Sequence, residues 1–163
     1  MRPAGNISAT ALIAAGALHI VRLARWAGDR TWRDRLVLIL HVGYTFVPLG
    51  FLFAGAAALG LVMGDIGTHA WMVGAAGTMT LAVMTRASLG HTGYPLIASP
   101  ITQAIYAAIV IAALARICAS LEPAWSDQLL HIAVFAWVAA YLGFAVSFGP
   151  LLLGTRRNPH SHT

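Results

Sequence analysis

One apolar stretch constrains the fold of this chain more than any other part of its sequence. Between residues 70 and 84 the only polar side chains are threonines, and the stretch is bounded by His69 on one side and by Arg86 and His91 on the other. An α-helix rises about 1.5 Å per residue, so a helix over 68–86 is long enough to cross the roughly 30 Å hydrocarbon core of a bilayer. We therefore predict a transmembrane helix with His69 and His91 on opposite sides of the membrane, where they cannot bind the same metal ion.

The same stretch carries a stripe of side chains spaced three and four residues apart, which is the spacing of one helical face. Its two methionines share this face with His69 and could provide soft thioether ligands for copper, although methionine more often fills a core. The stripe consists of His69, Met72, Ala76, Met79, Val83 and Arg86.

The composition indicates an integral membrane protein. Of the 163 residues, 59% are hydrophobic and only 9% are charged, whereas about 25% are charged in soluble domains. A chain this short has mostly surface, so a large core cannot account for the deficit. The cations are all arginines beside apolar segments, which is typical of membrane topology signals and not of a nucleic-acid-binding face. The single cysteine, Cys118, excludes an intramolecular disulfide and a cysteine-based metal cluster.

We predict an all-α fold: a polytopic transmembrane helical bundle of about five spans in a single domain, 1–155, followed by a polar cytoplasmic tail, 156–163. The loops after the first and third spans and the tail carry arginines, whereas the loops after the second and fourth spans carry only acidic residues. This alternation predicts an N-terminus outside and a C-terminus in the cytoplasm, and it argues against a cleaved signal peptide. The spans are predicted near 6–21, 36–63, 68–86, 99–120 and 129–153.

The second predicted span contains two features that affect helix packing. Pro48 lies within it and is predicted to kink the helix, which neighbouring helices tolerate in lipid. Gly60 and Gly64 form a GxxxG pair, and small residues at this spacing let helices approach closely. We predict that this glycine pair packs against another helix.

The predicted topology sorts five histidines by depth. His19, His41 and His91 lie near arginines and form an inner group, whereas His69 and His131 each follow an acidic loop residue and form an outer pair. Ionisable residues within membrane segments are candidate functional residues, because burying them unpaired is costly. Imidazole suits haem iron, copper and zinc, so these five are candidate metal ligands. Alternatively, an interfacial histidine only donates a hydrogen bond to a carbonyl or a lipid head group.

Arg86 is a fixed cation that the sequence predicts near the end of the third span. It could act as a topology anchor and helix C-cap, since arginine reaches the interface and complements a helix C-terminus. It could also bind a carboxylate such as a haem propionate. The sequence leaves both roles open.

The stretch HAWMVGAAGTMTLAVMTRASLGHTGYPL resembles the most distinctive segment of the NnrS family of bacterial membrane proteins. Two further segments are similar to the same family: ALHIVRLARW and LILHVGYTFVPLG. The place of His131 among the metal candidates depends on its depth alone. The resemblance implies cofactor-binding roles for His19, His41, His69, Arg86 and His91.

The resemblance also implies location, cofactors and partners. NnrS proteins are multi-pass proteins of the bacterial inner (cytoplasmic) membrane, described as containing haem and copper and associated with denitrification and with protection from nitrosative stress. The chain resembles only the C-terminal portion of the family. We therefore expect a truncated product, one piece of a split protein or a short paralogue. Its partners would be the lipid bilayer and either an N-terminal half or another copy in a homo-oligomer, with no nucleic acid.

The favoured function is that of an NnrS-like membrane protein in which intramembrane histidines hold haem or copper and act in nitric oxide metabolism or protection. The sequence shows no acid–base pair, no nucleophile–base pair and no phosphate-binding loop, so any catalysis would be metal-based. Whether turnover occurs is left open, as is the choice between haem and copper. The alternatives are a transport module for a small anion or protons, and a structural half of a split membrane protein without a cofactor.

Overall fold

The computed structural model of the chain describes residues 3–26, 33–62 and 64–154. All regular secondary structure in these ranges is helical, which confirms the all-α prediction. Four helices are long and apolar enough to cross a membrane. These are α1 (Pro3–Ala24), α2 (Arg35–Ala58), α4 (Pro100–Leu121) and α5 (Ser126–Leu153).

The central helix, α3 (66–92), is continuous but not uniform. It begins as a short α-helix over Ile66–His69, continues as a π-helix over Ala70–Gly77 and ends as an α-helix over Thr78–Thr92. The backbone is helical at both junctions, so the three sections form one element. The helix is longer at both ends than the predicted span, and its π-helical section was not predicted.

Local capping explains where α2 and α4 begin. The Asp34 carboxylate accepts hydrogen bonds from the backbone N–H of Leu36 at 3.0 Å and of Val37 at 3.3 Å. The Ser99 hydroxyl accepts one from the Thr102 N–H at 3.2 Å. These side chains pair backbone donors that the first helical turn leaves without partners.

Consecutive helices pack antiparallel, and the buried core lies between α2, α3, α4 and α5. α1 packs mainly on α2 and is the least buried helix, with 11% of its apolar window inside the bundle against 44% for α4. The core is formed chiefly by large apolar side chains from these four helices. They include Leu36, Ile39, Leu81, Ile109, Phe144 and Phe148.

Glycines allow α2 and α3 to approach each other closely. A methyl group at Gly50 would lie 2.2 Å from the indole nitrogen of Trp71, and one at Gly74 would lie 2.4 Å from the ring of Phe46. Real side-chain carbons do not approach so closely, so glycine is required at both positions for the two helices to pack at this distance. The interface between α2 and α3 therefore depends on glycine, which has no side chain, at both positions.

The predicted packing role of Gly60 and Gly64 is wrong. α2 ends at Ala58, and both glycines lie in the following connection with no neighbouring atom in the space a side chain would fill. Gly60 has φ of 75° and allows the chain to turn after α2, because glycine adopts this left-handed conformation without strain. Gly55 is the glycine that packs against α1, where it faces Ile13.

The alternation of helices divides the molecule into two ends. The end of α1, the start of α2, the end of α3 and the start of α4 lie together, and we call this the arginine-rich side because Arg22, Arg25, Arg33 and Arg35 are there. The other end, with Asp65 and Asp127, is called the opposite side. The tail at 156–163 and the loop residues Asp29 and Arg30 lie outside the described residues.

Candidate functional site

Histidine and aromatic side chains from α1 and α2 meet on the arginine-rich side. His19 Nδ1 lies 2.6 Å from the Tyr44 hydroxyl, and the His19 ring stacks on Phe51 with centroids 5.2 Å apart. Trp26 contacts Tyr44 at 4.7 Å between centroids and meets His41 edge-on at 5.9 Å. The structure thus brings two of the three predicted inner histidines into one group of residues. We call it the His19–His41 cluster: His19, Arg22, Trp26, His41, Tyr44 and Phe51.

Helical spacing explains how the cluster forms. His19 and Arg22 are three residues apart on one face at the end of α1, and Trp26 follows in the turn after Ala24. His41 and Tyr44 are three apart near the start of α2, which runs in the opposite direction beside it. Sequence reasoning missed Arg22, Trp26 and Tyr44 as site residues, although their spacing from the two histidines was already visible in the sequence.

His41 holds one ring nitrogen in a local hydrogen bond and leaves the other unpaired. Its Nδ1 lies 3.1 Å from the carbonyl oxygen of Val37, one helical turn earlier. A carbonyl oxygen only accepts, so Nδ1 carries the proton, and in the neutral ring Nε2 then carries a lone pair. That Nε2 is buried and has no hydrogen-bond partner among the described residues. A buried polar atom in this state costs about 1–3 kcal/mol, which makes His41 Nε2 a candidate ligand atom.

Arg22 adds a positive charge at the edge of the cluster. Its guanidinium carbon lies 5.3 Å from the centre of the Trp26 ring and 5.9 Å from that of Tyr44. Such contacts with aromatic faces fix the position of an arginine without neutralising it. No carboxylate pairs with Arg22 in the described part of the chain. The cluster therefore presents a fixed cation next to two imidazoles.

The other predicted histidines lie apart from this cluster. His91 is exposed near the end of α3. His69 Nε2 lies 3.1 Å from the Asp65 carboxylate, and His131 Nδ1 lies 2.7 Å from the Asp127 carbonyl oxygen. Within the described ranges, no hydrogen bond or ring contact joins His69 to His131. The outer pair is therefore two separate histidines, each hydrogen-bonded to the residue four positions earlier.

The stripe predicted on the central helix faces mostly outward. Met72 is 64% exposed and Val83 is 57% exposed, whereas Met79 is only partly exposed because it packs against Gly43. The π-helical section contains more residues per turn than an α-helix, so the three-and-four spacing does not keep His69 and Met72 on one face. The structure therefore gives no support to a shared His–Met copper site on this helix.

Arg86 does not occupy a helix end. α3 continues six residues further and ends at Thr92, followed by Gly93 in the left-handed conformation with φ of 75°. The Arg86 side chain is exposed and forms no ion pair in the parts of the chain that the structure describes. The predicted role as a helix C-cap is therefore wrong, and its role in binding a carboxylate stays a prediction.

Copper and haem iron differ in how many side chains the protein must supply as ligands. The described residues contain no group of three or more histidine, cysteine, aspartate or glutamate side chains that could hold a metal ion. Protein sites for copper and zinc commonly use three or four such ligands, so the described residues do not form a copper or zinc site from these side chains alone. Haem iron needs only one or two axial side chains from the protein. The buried Nε2 of His41 fits that requirement.

Comparison with known proteins gives one match. The family model described as NnrS protein matches residues 3–156, which is nearly the whole chain. No curated protein sequence matches the chain, and no solved structure does. The match covers all three segments that carry the resemblance noted from the sequence.

Proposed function

The chain belongs to the NnrS family, and on that basis we propose that it is a haem-associated protein of the bacterial inner membrane that acts in nitric oxide metabolism or in protection from nitrosative stress. The observation that carries the haem assignment is the buried, unpaired Nε2 of His41. Bound haem would supply an iron that binds nitric oxide and exchanges an electron.

The residues of the cluster support this assignment in separate ways. The Val37 carbonyl fixes the tautomer and the ring orientation of His41, which is how second-shell groups prepare a histidine for an iron. Trp26 meets the His41 ring edge-on at 5.9 Å between centroids. Arg22 provides a cation for a carboxylate such as a haem propionate. His19, held by Tyr44 at 2.6 Å, is the second imidazole within the same cluster.

The remaining candidate residues lie outside the His19–His41 cluster, and copper has no ligand set within it. His69, Arg86, His91 and His131 stay predictions. Copper also stays an expectation from the family, and it would need ligands beyond those described here. An N-terminal half or a second copy of the chain is the partner we propose for supplying them.

The proposal is tested by absorption spectroscopy and metal analysis of the detergent-solubilised chain. We expect a Soret band that shifts on dithionite reduction and again on addition of nitric oxide. In His41→Gly the band should fall at least about tenfold, and added imidazole should restore it because the free ligand replaces the missing ring. His131→Gly is the comparison variant, since this histidine also bonds one turn back but is exposed. If the His19–His41 cluster holds the haem, its band should be unchanged, and that result would remove His131 from the candidate ligands. A wild-type protein without haem iron, or full haem content in His41→Gly, would contradict the assignment.

A further inference from the structure

A second candidate site lies in a groove between α2 and α4 on the arginine-rich side. The groove has a volume of about 300 Å³ and is separate from the His19–His41 cluster. α2 and α4 both begin on the arginine-rich side and run in the same direction. The groove therefore changes from polar side chains at that side to apolar side chains deeper in the bundle. Arg35 and Gln103 line its outer end, and Val42 and Val110 line its inner end, about 10 Å deeper in the bundle.

Tyr106 lines this groove and has a buried hydroxyl. Its side chain is 5% exposed, and its hydroxyl has no hydrogen-bond partner among the described residues. Thr85 is its nearest hydroxyl neighbour, on α3; the Thr85 hydroxyl donates to the Leu81 carbonyl at 2.8 Å, and no hydrogen bond joins the two hydroxyls in the described structure. A buried hydroxyl without a partner is unfavourable, and an oxygen acceptor in the groove would remove that cost.

Arg35 makes the outer end of the groove positive. Its exposed guanidinium has no ion-pair partner within the described ranges. The neighbouring Asp34 carboxylate forms no ion pair with Arg35 in the described structure and accepts the N–H groups of Leu36 and Val37 at the helix start, although its charge lies close enough to act on Tyr106. A cation at the membrane interface attracts anionic head groups.

We propose that this groove binds an anionic phospholipid. Its phosphate would lie at Arg35, an ester oxygen would accept from the Tyr106 hydroxyl, and an acyl chain would lie along Leu38, Val42 and Val110. The order of the groove, from cation to hydroxyl to apolar wall, matches the order of groups in such a lipid. A small soluble anion would use the charge but leave the apolar length unfilled.

The test is the thermal stability of the full chain in detergent, titrated with phosphatidylglycerol, with phosphatidylcholine or with inorganic phosphate at constant ionic strength. We expect phosphatidylglycerol alone to raise the melting temperature. Arg35→Gln should weaken its apparent affinity about tenfold, because a charged hydrogen bond is lost. Arg33→Gln is the matched control, since Arg33 is an exposed arginine on the same side that does not line the groove.

Tyr106→Phe provides a second variant that retains the ring and should fold. Without lipid it should be at least as stable as the wild type, since the unpaired hydroxyl is gone, but its gain from phosphatidylglycerol should be smaller. Equal stabilisation by phosphatidylglycerol and phosphatidylcholine would overturn the proposal. So would a full effect of inorganic phosphate alone, or equal losses in Arg33→Gln and Arg35→Gln.

Discussion

At the scale of single residues, His41 and His131 show how burial changes the meaning of the same local contact. Each ring bonds a carbonyl oxygen four residues earlier through Nδ1, at 3.1 Å and 2.7 Å. His131 is exposed, so its second nitrogen can bind water or lipid head groups. The second nitrogen of His41 is buried and unpaired. Of these two histidines, His41 is therefore the one that combines a fixed tautomer with an unused lone pair inside the protein.

A glycine between the two central helices gives the first stability prediction. Gly50→Ala should destabilise the protein by at least about 1–3 kcal/mol, because the new methyl group would overlap the Trp71 ring and force the helices apart. The measurement is unfolding in mixed detergent micelles. Gly90→Ala is the control, because Gly90 is also helical but has open space around it. We expect the control to be neutral or slightly stabilising, and equal losses in the two variants would contradict the packing explanation.

At the scale of elements, the π-helical section of α3 is joined to the middle of α2. The Trp71 indole N–H donates to the Val47 carbonyl at 3.1 Å, next to Pro48, and the Trp71 ring also meets Phe51 edge-on at 5.0 Å. On the other side of α3, the Tyr141 hydroxyl donates to the Gly77 carbonyl at 3.3 Å, where the π-helix ends. Bonds from two neighbours thus hold the irregular section in place.

The contribution of the Trp71 bond can be measured separately from ring size. Trp71→Phe should cost at least about 0.5–1.5 kcal/mol more than Trp137→Phe, because only Trp71 donates a hydrogen bond in the described structure and Trp71 is also the less exposed of the two rings. The measurement is again unfolding in mixed micelles. A difference near zero between the two variants would show that the bond does not contribute to stability.

The elements also show what could be predicted from the sequence. The apolar segments predicted five helical spans, because a bilayer requires runs of this length and composition. The described residues form five long helices, of which four are long and apolar enough to cross a membrane. The π-helical section was not predictable from a periodicity that assumes 3.6 residues per turn. Distance from the arginines placed His19, His41 and His91 at similar depth, but depth does not specify which way a helix face turns. Hence His91 is exposed while His19 and His41 meet in one cluster.

At the scale of the whole molecule, charge divides the two ends of the bundle. The arginines at the α1–α2 connection and the acidic residues at the opposite side support the predicted orientation, which stays a prediction until it is measured.

Cysteine labelling checks that orientation. With Cys118 replaced by serine, Ala124→Cys places a thiol in the exposed turn between α4 and α5, on the opposite side. Leu96→Cys places one in the exposed connection after α3, on the arginine-rich side. In intact cells a membrane-impermeant maleimide should label the first variant only, and the second should react only after permeabilisation. The reverse pattern would invert the orientation.

The position of α1 has a consequence for assembly. This helix packs mainly on α2 and has little of its surface inside the bundle, yet it carries His19, Arg22 and the chain segment leading to Trp26. A ligand bound by residues of both α1 and α2 would therefore hold α1 against the rest of the bundle. Because binding to a docked state stabilises that state, filling the site would strengthen the attachment of α1 to α2.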